Sequence, residues 1–347
     1  IMFEIKNRKL GTDCPPYVIA ELSANHNGDI IRAKEIMRMS KDCGADAVKI
    51  QTYTADTMTI DSQKEDFQIN SGLWKGYNLH DLYKWAETPF EWHKDLFDYA
   101  KSIDITCFST PFDETAVNLL EDLNTPAYKI ASFEAIDLPL IKYVAETRKP
   151  MIISTGMADF NEISEAVDIA RSSGCNDLAL LHCVSSYPAP EDAYNLRTIT
   201  DLKEKFDTLV GLSDHTLGIN VALASIPLGS CIIEKHVTLS RKDKGPDSEF
   251  SLESTELQAL CSGVKGVWKS LGKVNYELNE VEKSSIKFRR SIYAIKNIKK
   301  GESITNSNIR RIRPGYGLPP KYYDELINKT AKVNIERGTP ISWDLID

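Results

Sequence analysis

Several absences narrow this sequence before any motif is considered. No apolar run approaches the roughly 18 residues of a membrane span, and residues 1–22 carry Lys, Arg and Asp without a signal-peptide core, so a spanning protein is excluded and the cytoplasm is expected. The seven cysteines, at 14, 43, 107, 175, 183, 231 and 261, form no C-x-x-C pair; in a chain of 347 residues that odd set reads as reduced core thiols, not a disulfide frame. Basic charge is scarce, with 42 Lys+Arg against 50 Asp+Glu and a net charge of −8, which excludes nucleic acid and anionic membrane as partners of the surface as a whole. A pocket for a small anion needs only a few placed cations and stays open. There is no internal repeat and no low-complexity tract.

What is present, 42% hydrophobic and 27% charged residues over 347 positions, is the composition of a globular protein with two domains or one large barrel plus an appendage. From residue 17 to 237, eight β-type runs follow one another: YVIAEL, ADAVKIQTY, DITCFST, AYKIAS, PMIIST, LALLHC, TLVGLSD and SCIIEKHV. Helical periodicity fills most of the gaps, at 31–43, 89–103, 162–173, 196–206 and 217–228. Eight strand–helix units predict parallel strands with crossover helices and fit a closed TIM (β/α)8 barrel; a doubly wound open sheet is the alternative. Runs such as MIIS and ALLHC are apolar almost throughout, as strands covered on both faces must be. Residues 52–88, long and carrying Trp74, Tyr77 and Tyr83, break the rhythm and read as an extended loop at the C-terminal face of the barrel.

A long helix is predicted over 254–271, after which the character changes. Residues 283–337 hold fourteen Lys/Arg and four Asp/Glu, a balance of +10 that leaves −18 for the rest of the chain. With the turn signals KKGE, RPGYG and LPPK, this reads as a small β-rich domain from 290 to 347, preceded by a barrel domain over 1–277 and a linker over 278–289. Its basic face is either simply solvated or docks on an acidic barrel mouth, of its own chain or of a partner, and supplies an Arg there.

The strand ends carry the chemistry. In order they offer Glu21; Lys49 with Gln51; Ser109 with Thr110; Lys129 with Ser132 and Glu134; Ser154 with Thr155; Ser185 with Tyr187; Ser213 with His215; and Glu234 with His236. Lys49 and Lys129 lie inside apolar runs, where an unpaired ammonium costs several kcal/mol, so each needs either a carboxylate or an anionic ligand. Thr110, Ser132 and Ser154 would complete such an anion site with hydroxyls. His215 and His236 end adjacent strands, a placement suited to one divalent ion with water or substrate in the remaining positions, although either ring alone is as well explained by ordinary hydrogen bonding. His26, just beyond the first strand, either orders its loop or is a third ligand. Glu21, Glu134 and Asp247 suit sugar hydroxyls or proton transfer, and Asp247 equally suits a surface salt bridge.

At ELSANHNGD, GADAVKIQTYT, STPF, AYKIASFE, STGM, HCVSSYPAP, GLSDHTLG, EKHVTL and RPGYG, the sequence resembles the sialic acid synthase family, which condenses phosphoenolpyruvate with an N-acetylated six-carbon sugar. Within it, KEDFQINSGLWKGYNLHDLY and YKIASFE look most like the pseudaminic acid synthases, whose sugar is a 2,4-diacetamido-2,4,6-trideoxy-altrose. The resemblance implies a TIM barrel followed by an antifreeze-like (SAF) C-terminal domain, a homodimer in which that domain covers the partner's site, and a divalent metal, Mn, Mg or Co, on His215 and His236. It implies phosphoenolpyruvate contacts at Lys49, Thr110, Lys129, Ser132, Ser154 and Ser213. Sugar contacts follow at Glu21, Gln51, Tyr187, Asp247 and, reaching across the dimer, Arg313; Glu134 matches a carboxylate close to the reacting carbons. Phe133 and Ser185 are expected on the sugar as well, and both depart from the wider family: Ser185 stands where sialic acid synthases carry Asn, and Phe133 follows Ser132 where they carry Gly. Both changes suit a less hydroxylated sugar than N-acetylmannosamine; an N-acetylneuraminate or legionaminic acid synthase is the neighbouring alternative. A metal-dependent aldolase or hydrolase would share the histidine pair but not the need for phosphoenolpyruvate.

Overall fold

The computed structural model describes the whole chain, residues 1–347, which divides into two compact units, Ile1–Gly272 and Lys273–Asp347. The first opens with a hairpin, β1 (Phe3–Ile5) and β2 (Arg8–Leu10), and continues into eight parallel strands: β3 (Tyr17–Glu21), β4 (Ala47–Thr52), β5 (Thr106–Pro111), β6 (Tyr128–Ile130), β7 (Met151–Ser154), β8 (Leu178–Cys183), β9 (Leu209–Asp214) and β10 (Ile232–His236). These close into a barrel in the order β10-β3-β4-β5-β6-β7-β8-β9, so every run expected as a strand is one and the open sheet is ruled out. Closure is made by β10 on β3, where His236 stands opposite Glu21.

Strand alternation sorts the side chains into two cores. Val18, Val48, Ile50, Ile153, Leu180 and Ile233 point outward and pack beneath the helices. Tyr17, Ile19, Phe108, Ile152, Leu181 and Ile232 point inward and fill the lower barrel, where Phe3, Ile5 and Leu10 of the hairpin join them and seal the base. Each such aliphatic side chain taken fully out of water is worth about 1.5–3 kcal/mol. Gly211 in β9 is required at one close approach: a Cβ there would collide with Ile232 and Leu181, its partners on the neighbouring strands β10 and β8.

The crossover helices are set by acidic caps, Asp29 before Ile30–Asp42, Asp113 before Glu114–Asp122, and Asp159 with Glu162 in a capping box before Phe160–Ser172. Segment 52–88 is not the extended loop expected. Thr54 and Asn78 cap short helices at Ala55–Met58 and Leu79–Ala86, with one 3-10 turn at Glu65–Phe67 between them. Helix Ser254–Leu271 ends on Gly272 at a φ of 50°, and residues 273–289, expected as barrel tail and linker, group with the second unit. No helix is long and apolar enough to cross a membrane, and all seven cysteines are free.

The second unit carries an exposed 3-10 helix, Glu280–Phe288, and then a two-stranded antiparallel sheet of β11 (Ser291–Ala294) and β12 (Ile309–Ile312). Antiparallel bridges at Ile298–Ile335 and Ser303–Thr330 extend its β character. It has its own core of Ile292, Ile304, Ile309, Leu326 and Ile341.

Candidate active site

The same alternation that fills the lower barrel with aliphatic groups delivers polar ones to its upper end. Glu21, Lys49, Gln51, Thr110, Lys129, Ser154, Ser213, His215, Glu234 and His236 all line one cavity of about 620 Å³ at the C-terminal ends of the strands. Ser132, Phe133, Glu134, Tyr187 and Asp247 line it too, from the loops that follow β6, β8 and β10. Ser185 does not; it turns toward Gly156, where an added Cβ would collide with its hydroxyl. Arg313 belongs to the second unit.

At the cavity floor, Lys49 Nζ lies 2.6 Å from Glu21 Oε2 and 3.8 Å from Glu234 Oε1, and donates to Thr110 Oγ1 at 2.8 Å. Lys129 Nζ donates to Glu234 Oε1 at 3.4 Å. Gln51 Nε2 donates to Glu21 Oε1 at 2.9 Å. The carboxylate partners that two buried lysines demanded are therefore Glu21 and Glu234. Burial works against the charge of Lys49, but Glu21 and Glu234 outweigh it and hold its pKa above the ordinary value. On Lys129 burial wins and the pKa falls. Burial acts against Glu234 as well, yet the two lysines keep it below the usual carboxylate range. Donors and acceptors nevertheless remain unspent: Ser154 Oγ, Glu234 Oε2 and Glu134 Oε2 are buried without a hydrogen-bond partner. Unpaired buried polar groups are costly, and three of them around two lysines mark a place built for a polar ligand.

At one rim the imidazoles of His215 and His236 face each other with ring centroids 5.4 Å apart. His215 Nδ1 is tied to the Val184 carbonyl at 2.9 Å and His236 Nδ1 to Ser23 Oγ at 3.2 Å, and no hydrogen bond engages either Nε2. Rings anchored through one nitrogen with the other left open are the usual form of metal-ligating histidine, so the donor set fits one divalent ion. No third His, Cys, Asp or Glu joins them as a cluster, so an ion held there would take its remaining ligands from water or substrate. Burial, then the charges of His215, Lys49 and Lys129, hold His236 well below its ordinary pKa, so it presents a lone pair. Burial opposes a charge on His215 too, but Cys183, the Val184 carbonyl and Glu234 together hold its pKa above the ordinary value. His26 accepts from the Gly28 N–H at 3.0 Å and meets Thr88 Oγ1 at 3.2 Å, which makes it a loop-ordering residue away from the cavity.

Glu134 follows β6 in a short 3-10 turn, and burial pushes its carboxyl up to about 7. The same cavity has an apolar, aromatic wall, built by the segment whose Trp74 and Tyr83 the sequence placed at the C-terminal face. Segment 52–88 contributes Tyr53, Met58, Ile69, Trp74, Leu79, Leu82 and Tyr83 to the cavity. Tyr53 meets Tyr83 and Phe112 edge-on at 5.9 and 5.2 Å, and Trp74 Nε1 donates to the Pro246 carbonyl at 3.0 Å, holding the segment over the mouth. Tyr187 packs 4.4 Å from the His215 ring and 5.7 Å from Trp74. Asp247, partly buried, forms no salt bridge and accepts weakly from the Ala24 N–H at 3.5 Å. Glu234 was visible among the strand-end residues without a role; counting two positions back from His236 puts it inside the barrel, and that was the available signal.

Residues 36–276 match the NeuB family and residues 289–347 the SAF domain. The chain belongs to the NeuB family. It is 42% identical to a pseudaminic acid synthase of Helicobacter pylori over 96% of this chain and 98% of that protein. It is 38% identical to an N,N'-diacetyllegionaminic acid synthase of Campylobacter jejuni over 91% and 96%. Among solved structures, an N-acetylneuraminic acid (sialic acid) synthetase of Leptospira borgpetersenii, crystallised with citrate, superposes with a TM-score of 0.74 at 32% identity, over 83% of this chain and 96% of that one. This NeuB-family barrel followed by an SAF domain is the architecture its motifs implied.

Proposed function

We infer that the chain condenses phosphoenolpyruvate with 2,4-diacetamido-2,4,6-trideoxy-altrose, releasing phosphate and giving a nine-carbon 2-keto sugar acid, the reaction of a pseudaminic acid synthase. One observation carries the reading: the 42% identity to a protein of that name spans nearly the whole chain and exceeds the 38% to a legionaminic acid synthase. The cavity agrees with it, since a floor bearing two lysines and the unspent Ser154 hydroxyl suits phosphoenolpyruvate and an apolar, aromatic wall suits a deoxy sugar with two acetamido methyls.

Lys49 and Lys129 bind the phosphate and carboxylate of phosphoenolpyruvate, with Thr110, Ser132, Ser154 and Ser213 supplying hydroxyls. Glu21, Gln51, Tyr187 and Asp247 orient the open-chain sugar. His215 and His236 would hold a divalent metal, Mn, Mg or Co, which would supply Lewis acidity to the condensation. The third carbon of phosphoenolpyruvate forms the new bond to the aldehyde carbon, and Glu134 gives its proton to the aldehyde oxygen, which becomes a hydroxyl. Water adds at the cationic second carbon and gives one proton back to the Glu134 carboxylate; the resulting hydroxyl loses its other proton to the departing phosphate as the C–O bond to phosphate breaks, leaving the keto group. The enzyme works in the cytoplasm, in keeping with seven free thiols, as a homodimer in which Arg313 of one copy reaches the other's sugar; the opposed charges of the basic C-terminal segment and the remaining chain support that arrangement.

The deciding experiment follows phosphate release from phosphoenolpyruvate with Mn, offering the diacetamido-trideoxy-altrose and N-acetylmannosamine in parallel. Faster release with the altrose is expected; preference for the mannosamine would overturn the sugar assignment and leave the condensation standing.

A proton held by Glu134 to about pH 7 makes it an acid that is spent above that value. Turnover is expected to fall on the alkaline side with an apparent pKa near 7, and Glu134→Gln to remove that limb; a limb of the opposite sign would make Glu134 a base. The same shift bears on stability. Because the folded-state pKa is raised from 4.5, this group's contribution is full below about 4.5 and declines as pH rises through 7.

A further inference from the structure

Two residues inside the GLSDH and EKHVTL motifs have no place in the cavity. Asp214 and Lys235 immediately precede His215 in chain and His236 in chain, respectively, and by strand alternation they point outward, beneath the helices. They stand opposite each other in the register of β9 and β10, and both side chains are completely buried. Lys235 Nζ donates to Asp214 Oδ2 at 2.8 Å and to the Thr216 carbonyl at 2.6 Å. Asp214 Oδ1 accepts from both the N–H and the hydroxyl of Thr216 at 2.8 Å. From the other side, the His215 N–H donates to the Tyr194 hydroxyl at 2.7 Å, and that hydroxyl donates to the Ser213 carbonyl at 3.1 Å.

We propose that the Asp214–Lys235 pair is a positioning clamp that fixes the backbone on both sides of His215 to the residue before His236, and so sets the separation of the two imidazoles for a divalent ion. Geometry carries this. The pair spans the two strands one residue from each ring, and its hydrogen bonds also hold Thr216, so the residues flanking His215 are tied to β10 from outside the barrel while the rings face inward. A fully buried ion pair is seldom worth more to stability than a well-packed apolar pair, which directs attention to what it positions. A metal site needs its donors held to within about 0.5 Å, and groups behind the ligands commonly set affinity by one or two orders of magnitude.

The inference rests on the histidine pair as metal ligands and not on which sugar is used. The test is Mn(II) binding followed by electron paramagnetic resonance of the free ion, in the full-length protein and in Asp214→Asn/Lys235→Met. The double variant removes both charges together, keeps an acceptor for Thr216, and is expected to melt close to the parent temperature while binding Mn(II) at least tenfold more weakly. Parent-like Mn(II) affinity in the folded double variant would overturn the clamp. If the parent itself binds no Mn(II), the histidine assignment falls and the clamp with it. Should the double variant not fold, Asp214→Glu decides: it keeps the ion pair but displaces the carboxylate by one methylene, and unchanged Mn(II) affinity there would equally overturn the proposal.

Discussion

Lys49→Met is expected to cost about 10²–10³ in turnover and about 3–5 kcal/mol of stability together. The catalytic loss follows from removing a preorganised cation from a water-poor floor, where one such donor typically accounts for two to three orders of magnitude. The stability loss has a different origin. Lys49 is the 2.6 Å partner of Glu21 and a second neighbour of Glu234, both almost fully buried, and the substitution leaves Glu21 without a counter-charge. The two effects separate in Lys49→Met/Glu21→Gln: urea unfolding should recover most of the stability, whereas phosphate release stays low. A single variant of unchanged stability would mean that Glu21 carries a proton in the native fold. Unchanged turnover would remove Lys49 from the phosphoenolpyruvate site.

His236→Ala is expected to be the most damaging small change for activity, by about three orders of magnitude, with little effect on the melting temperature. A metal that polarises a carbonyl is worth several kcal/mol at the transition state, and each 1.36 kcal/mol is a factor of ten. The fold loses little, because the ring's hydrogen bond in the structure is a 3.2 Å contact with Ser23 Oγ and the position opens onto the cavity. Steady-state rates across a Mn titration, set beside a thermal melt, check both halves. A variant that keeps its rate and its metal dependence would show that His236 is not a ligand.

The barrel was legible because a buried parallel strand announces itself locally: a short apolar run such as MIIS needs no distant partner to be recognised. Polar residues closing those runs were legible for the same reason, and the cavity gathers nearly all of them. What sequence withheld was pairing in space. Nothing in the order of residues says that Glu234 sits between Lys49 and Lys129, 185 and 105 positions away by subtraction of their numbers. Nor does it say that Lys235, one residue on, turns its charge away from the site onto Asp214. Segment 52–88 was placed over the mouth but read as a loop, because its helices at Ala55–Met58 and Leu79–Ala86 are too short for a period to show. Nor does residue order say that Ser185, expected on the sugar, lies against Gly156 together with Ser132.

The hairpin that seals the lower barrel gives the molecule a single doorway. Phe3, Ile5 and Leu10 close one end, so a small molecule reaching Ser154 or Lys129 travels past Trp74 and Tyr187, and whatever is made there leaves by the path its precursors took. Traffic through the cup runs in both directions along one corridor, and the residues of segment 52–88 stand at its threshold.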